Sequence, residues 1–309
     1  MTAADRFAVA RLVADTVLYE GYVLYPYRAS AQKNQLRWQF GVLAPAPYAE
    51  SSGAERWSMR SEVIVGPGEL PRLTVRIRCL QLQHRAIEAT ADEGASYVSV
   101  DSLDLDGTTA VPWDEAIDHE IDVETLELLP AGKHVKEHEF ALPGGRDVEV
   151  LRDALGRLVG RATRQREEVR GLVRISARHV DESSPFLKVT VTVENTTDWD
   201  AAGANRDAAM RRSLIAVHTL LAVDGGSFVS LLEPAPFAEE AVAGCVNDGT
   251  FPVLIGNTST NDVMLSSPII LYDFPAVAPE SAGDFCDSTE IDEILALRVM
   301  TLTDAEKAE

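Results

Sequence analysis

From Val173 to Val193 apolar and polar residues alternate through two runs with a turn between them. Val173, Ile175, Ala177 and His179 share one face opposite Arg174, Ser176 and Arg178; Asp181 to Pro185 supplies the turn, and Leu187, Val189, Val191 and Val193 share the next face. A two-residue period cannot serve a helix, whose apolar stripe recurs every three to four residues, so this segment predicts an antiparallel hairpin buried on one face. Leu73 to Gln83 repeats the pattern, with Val75, Ile77 and Cys79 set against Arg76 and Arg78, and Gln35 to Leu43 alternates Leu36, Trp38 and Phe40. The expected fold class is α+β and β-rich, with antiparallel, sandwich-like β units and a few peripheral helices.

Helical spacing is confined to short stretches. Ala8, Leu12, Val13 and Val17 predict an opening helix over Ala3 to about Leu18, punctuated by Gly21 and Pro26. Met210, Leu214, Val217 and Leu221 form a stripe that predicts a second helix from Asp207 to about Ala222, with His218 at its edge and Gly225-Gly226 as its stop. Ser227 to Leu232 reads as a strand, and Val263 to Tyr272 as strands broken at Pro268. Asp287 with Glu290, and Thr303 with Glu306, are capping signals; the second is followed by barely a turn, as though a longer natural chain continued it. The polar, glycine-punctuated stretch Pro143 to Gly171 predicts a boundary between an N-terminal β-rich domain over 1–155 and a C-terminal hairpin-and-helix domain over 165–309, with one large domain as the alternative.

Composition narrows the function classes. With 46% apolar and 25% charged residues the 309-residue chain has globular usage, and 28 basic against 49 acidic residues give a net charge of −21. Binding to polyanions rests on basic side chains, so a duplex or membrane-surface binder is excluded on charge. No apolar run reaches the length of a membrane span and the first residues contain no apolar leader core, so the expected setting is cytoplasmic. Cys79, Cys245 and Cys286 are odd in number and far apart, which allows neither a disulfide framework nor a paired-cysteine metal knuckle. The charge alternates in blocks: residues 1–88 carry +3, 89–160 carry −12, 161–223 carry +2 and 224–309 carry −14. Such blocks allow either a self-complementary fold or a polar association surface.

Three constellations could carry function. Tyr22, Tyr25 and Tyr27, with Arg28, Arg37 and Trp38, concentrate the residue types that anchor protein interfaces in a chain with only 6% aromatic residues. An acidic, proline-punctuated loop with Asp273, Asp284 and Asp287 is the second contact candidate. His134 and His138 lie four apart with His119 upstream, so three imidazoles and a carboxylate could converge on a divalent metal, although the spacing fits no zinc pattern. The acidic run Trp113 to Glu124 lacks the glycine of a calcium loop and reads as a solvated face. No nucleophile elbow, phosphate loop or dinucleotide fingerprint occurs, and no catalytic residue is assigned.

At Leu24-Tyr25-Pro26-Tyr27-Arg28, Trp38-Gln39-Phe40-Gly41-Val42-Leu43, Ser267 to Asp273 and Thr289 to Leu295 the chain resembles an uncharacterised family of actinobacterial proteins. Genes of that family sit among those for nickel-iron hydrogenase subunits and maturation factors. The resemblance runs from about Leu18 to Glu306, implies an accessory or assembly role in the cytoplasm, and carries no catalytic residue across. The leading expectation is a non-catalytic protein that binds a hydrogenase subunit or maturation factor and needs no cofactor. Its rivals are a metal-dependent enzyme or metal carrier using His119, His134 and His138, and a homo-oligomer held together by the charge blocks.

Overall fold

A computed structural model describes residues 6–20, 40–92, 94–106, 108–128 and 134–276 of the chain. The elements, in order, are α1 (Ala8–Glu20), α2 (Ala46–Ser52), β1 (Ser58–Val65), β2 (Arg72–Ala89), β3 (Val98–Ser99), β4 (Leu103–Asp104), β5 (Thr109–Ala110), β6 (Trp113–Glu127), β7 (His134–Leu142), β8 (Gly145–Arg152), β9 (Leu158–Arg166), β10 (Val169–His179) and β11 (Leu187–Asn195). There follow α3 (Arg206–Met210), β12 (Ile215–Asp224), α4 (Glu239–Ala243), β13 (Phe251–Leu254) and β14 (Val263–Ser267). Every ladder is antiparallel, and the α+β, β-rich, sandwich-like class read from the sequence is the observed one.

Two sheets face each other. The smaller has the order β1-β11-β10-β7, and the larger runs β13-β14-β12-β2-β9-β8, with β6 and β3 also on β2. Residues 72–80 of β2 pair with β12 and residues 83–89 with β9, whereas Arg72 to Arg85 pair with β6. β12 and β9 therefore share one side of this long strand, and β6 holds the other. The predicted hairpin is β10 and β11, in the register that places Val173 opposite Val193, Ile175 opposite Val191 and Ala177 opposite Val189. Those side chains meet Leu73, Val75, Ile77 and Cys79 of β2 and Val217, Leu221 and Val223 of β12 in the largest core cluster. Helix α1 covers the outer face of the larger sheet, burying Ala10, Val13 and Ala14, together with the preceding Phe7, against Leu220, Ala222, Val253 and Leu265.

Two readings of the sequence require correction. The helix predicted over Asp207 to Ala222 is only α3; from Ile215 onward the chain is β12, a central strand. Val217, Leu221 and Val223 enter the sandwich and Leu220 and Ala222 lie under α1, so both faces are apolar, and a two-sided strand has lost the alternation that would mark it. The expected domain boundary also disappears into structure. Residues 145–166 form the β8–β9 hairpin, and β9 continues the sheet by pairing with β2. Both sheets combine strands from each side of 155–165, since β1 pairs with β11 and β2 with β12. An exposed edge needs charge pairs more than apolar side chains, which is why this stretch resembled a linker.

Smaller differences are local. Of Gln35 to Leu43, the described part makes only bridges, from Leu43 to Leu214 and to Arg56, and Ser227 to Leu232 makes one, from Phe228 to Val65. β14 stops at Ser267, one residue before Pro268, as the proline demands. The capping signals at Asp287 and Thr303 lie outside the described residues.

Candidate functional site

The acidic run read as a solvated face is β6, and it lies antiparallel on the arginines of β2. Arg76 reaches Asp122 (2.6 Å) and Glu120 (2.9 Å), and Arg78 reaches Asp15 of α1 (2.6 Å), Asp118 (2.7 Å) and Glu120 (3.2 Å). Arg78 is 1% exposed, sealed between sheet and helix. The ladder continues outward through Glu115 with Arg164 (2.9 Å), Glu149 with Arg164 (2.7 Å), and Asp147 with Arg166 (2.6 Å). Arg161 holds Glu88 with two hydrogen bonds. The positive 1–88 and 161–223 blocks thus meet much of the negative 89–160 block inside one chain, the self-complementary outcome of the two that the sequence allowed.

The candidate histidines are spread over two strands. His119 stands opposite Cys79, and its Nε2 lies 2.9 Å from Gln81 Oε1. Gln81 Nε2 donates to Glu167 O (2.7 Å) and Pro143 O (3.3 Å), so its Oε1 accepts, and the proton on this imidazole sits on Nε2. Burial pushes the His119 pKa down. His138 is half-buried opposite Val173 on β7, in the other sheet, near the carboxylate of Glu124. His134 opposes Ala177; its side chain lies outside the described residues. Strands of two different sheets therefore carry the three histidines, and among the described residues no three metal-ligating side chains converge. His218, expected on a helix edge, is fully buried on β12 opposite Arg78; its Nδ1 donates to Ala216 O (2.7 Å), and burial drives its pKa down to about 4.

The described thiols are similarly enclosed. Cys79 is buried in the sandwich with its pKa pushed up to about 12, and burial raises that of Cys245 to about 11. Beside Cys245, Glu62 is fully buried yet satisfied: Thr190 Oγ1 (3.2 Å), Lys188 Nζ (3.5 Å), the Val246 N–H (2.8 Å) and Arg60 all donate to it. Burial raises the Glu62 pKa, and these donors more than reverse the effect, leaving it below the usual carboxylate value.

Of the expected contact residues, Asp273 is half-buried; it accepts from Ser230 Oγ (2.6 Å) and the Leu254 N–H (2.7 Å), tying the chain to β13. Tyr22, Tyr25, Tyr27, Arg28, Arg37, Trp38, Asp284, Asp287 and Cys286 lie outside the described residues. A shallow groove of about 500 Å³ runs where β7 meets β10, lined by Glu139, Phe140, Arg170, Gly171, Leu172 and Thr196 among others.

Sequence reading passed over a further surface. Among the described residues β8 pairs only with β9, and Arg146 through Val150 form an unbroken exposed stretch. Asp147 and Glu149 turn to one face, where they meet Arg166 and Arg164. Arg146, Val148, Val150 and Arg152 turn to the other, with Val148 52% and Val150 53% exposed. The signal was legible as an arginine, two valines and an arginine at every second position.

No protein-family model matches the chain, and no curated protein is similar to it at a significant level. Among solved structures, one match is the Salmonella SPI-1 type III secretion injectisome secretin InvG in its open gate state. It shares 9% identity over 82% of this chain and 70% of that one, with a TM-score of 0.12. Agreement that low carries no argument.

Proposed function

We propose that the chain is a non-catalytic accessory protein that works in the cytoplasm by binding a nickel-iron hydrogenase subunit or maturation factor. The observation that supports a binding role is how the fold uses its reactive side chains. His119, His218, Cys79 and the carboxylates of β6 are committed to internal hydrogen bonds, ion pairs or the core, while β8 keeps an open edge with two exposed valines. The partner class follows from the resemblance at Leu24 to Arg28 and Ser267 to Asp273, and Tyr22, Tyr25, Tyr27, Arg28, Arg37 and Trp38 are the proposed anchors. No helix among the described residues is long and apolar enough to cross a membrane.

The test is capture from the source cell with the chain tagged and expressed at its natural level. Recovery of hydrogenase subunits or maturation factors in near-equal amount, lost in the Tyr25→Ala/Arg28→Ala double variant, is the expected result. Recovery of the chain alone contradicts the reading.

A further inference from the structure

Resting on the reading that this chain binds protein, we propose that β8 is a strand-addition site for an extended partner segment with an acidic residue, two apolar residues and a second acidic residue at alternate positions. Three observations meet there. First, β8 is the outermost strand of its sheet, so one row of its backbone groups has no partner strand among the described residues. A free edge of this kind pairs readily with another extended chain.

Second, the outward face of β8 carries two valines between two arginines. Val148 and Val150 stand side by side, each more than half exposed. Arg146 and Arg152 flank them at either end of the strand. The opposite face is spent, because Asp147 and Glu149 are already held by Arg166 and Arg164.

Third, the two flanking cations hold no carboxylate among the described residues, in a molecule where most cations do. Arg157, Arg161, Arg164 and Arg166 of the same hairpin each hold a carboxylate. Neither Arg146 nor Arg152 makes an ion pair among the described residues: Arg152 donates to the Gly156 carbonyl (2.9 Å), and Glu88, the carboxylate that feels the charge of Arg146, is bound by Arg161. An incoming strand that lays apolar side chains on the valines brings its next alternate residues over the two guanidinium groups, where carboxylates complete the pairs.

The same charges disfavour a second copy of this chain. In the two-fold antiparallel register that sets Val148 against Val150 of the other copy, Arg146 meets Arg152 and Glu149 meets Glu149, and like charges placed directly opposite are destabilising.

The experiment uses the full chain and two labelled peptides, Glu-Thr-Val-Thr-Val-Thr-Glu and Lys-Thr-Val-Thr-Val-Thr-Lys, titrated to millimolar concentration by fluorescence anisotropy. The expected result is a preference of about tenfold for the glutamate peptide, from two cross-strand charge pairs. Arg146→Glu/Arg152→Glu, which changes exposed side chains only, reverses the preference, and amides of residues 146–151 gain hydrogen-exchange protection in the favoured complex. Binding of neither peptide, equal binding of both, or a preference unmoved by the charge reversal overturns the proposal. A chain dimer in light scattering that Val148→Asp dissolves overturns it in favour of self-pairing. Captured partner that is retained equally by the charge-reversed variant would leave the accessory reading standing and remove only this site, so the two failures are distinct.

Discussion

Arg78 is the residue on which most of the polar architecture depends. A guanidinium so deeply enclosed is tolerable only because Asp15, Asp118 and Glu120 surround it, and removing it takes the shared cation from Asp15 and Asp118 while Glu120 keeps Arg76 and Arg11. Arg78→Met is expected to lower unfolding free energy by about 3 kcal/mol in urea titrations. Arg174→Met, which removes a more exposed cation paired with Glu137 and Glu194, should cost under about 1 kcal/mol. His218, fully buried opposite Arg78, gives a pH signature. The unfolded chain takes up the imidazole proton near 6.5 and the folded chain only near 4, so the contribution is intact above pH 6.5 and is lost as pH falls through that window. Stability should drop by about 2 kcal/mol between pH 7 and 5 from this group alone. His119, also depressed by burial, adds to the loss, and His218→Gln should flatten the profile even though it removes the bond to Ala216 O. An unchanged slope in that variant would place the proton uptake elsewhere. His218 was legible as a satisfied core histidine from its place beside an apolar stripe, but the carboxylates around Arg78 were not, because an arginine in an alternating run carries no mark of what will cover it.

The elements divide by how many of their faces are buried. β10 and β11 have one apolar face in the core and one more polar face, and their alternation predicted both strands and the turn between them. β12 has two buried faces and read as a helix; β8 is largely exposed and β9 largely half-buried, and both read as a linker. Periodicity therefore reported elements in proportion to their asymmetry. The acidic run of β6 was visible, but its arginine partners 40 or more residues away were not, since pairing between strands is set by topology. β7 offers a test at this scale. A Cβ added to Gly171 would lie 2.2 Å from Cζ of Phe140, whose ring occupies the space the glycine leaves on the neighbouring strand. Gly171→Ala is expected to cost about 1–2 kcal/mol and to speed hydrogen exchange over Val135 to Ala141, while β11 keeps its protection. Equal acceleration in β7 and β11 would show that the ring does not act as the local clamp.

At the scale of the whole molecule, a chain with a net charge of −21 holds its positive and negative blocks together through internal ladders such as Arg76 with Asp122 and Arg164 with Glu149. Charges paired within one chain favour the single chain over association through the charge blocks. The purified chain is expected to keep a single-chain mass in light scattering from about 50 mM to 1 M salt, a range over which the screening length shrinks several-fold. A two-chain mass at low salt that halves at high salt would restore the charge-block oligomer. The central claim is that this molecule acts by holding another protein. Its most direct test is native mass spectrometry of the chain purified at natural abundance from its source cell. The account predicts the 33.6 kDa chain together with one stoichiometric polypeptide and no bound metal. The 33.6 kDa chain alone, carrying one equivalent of metal, would contradict it.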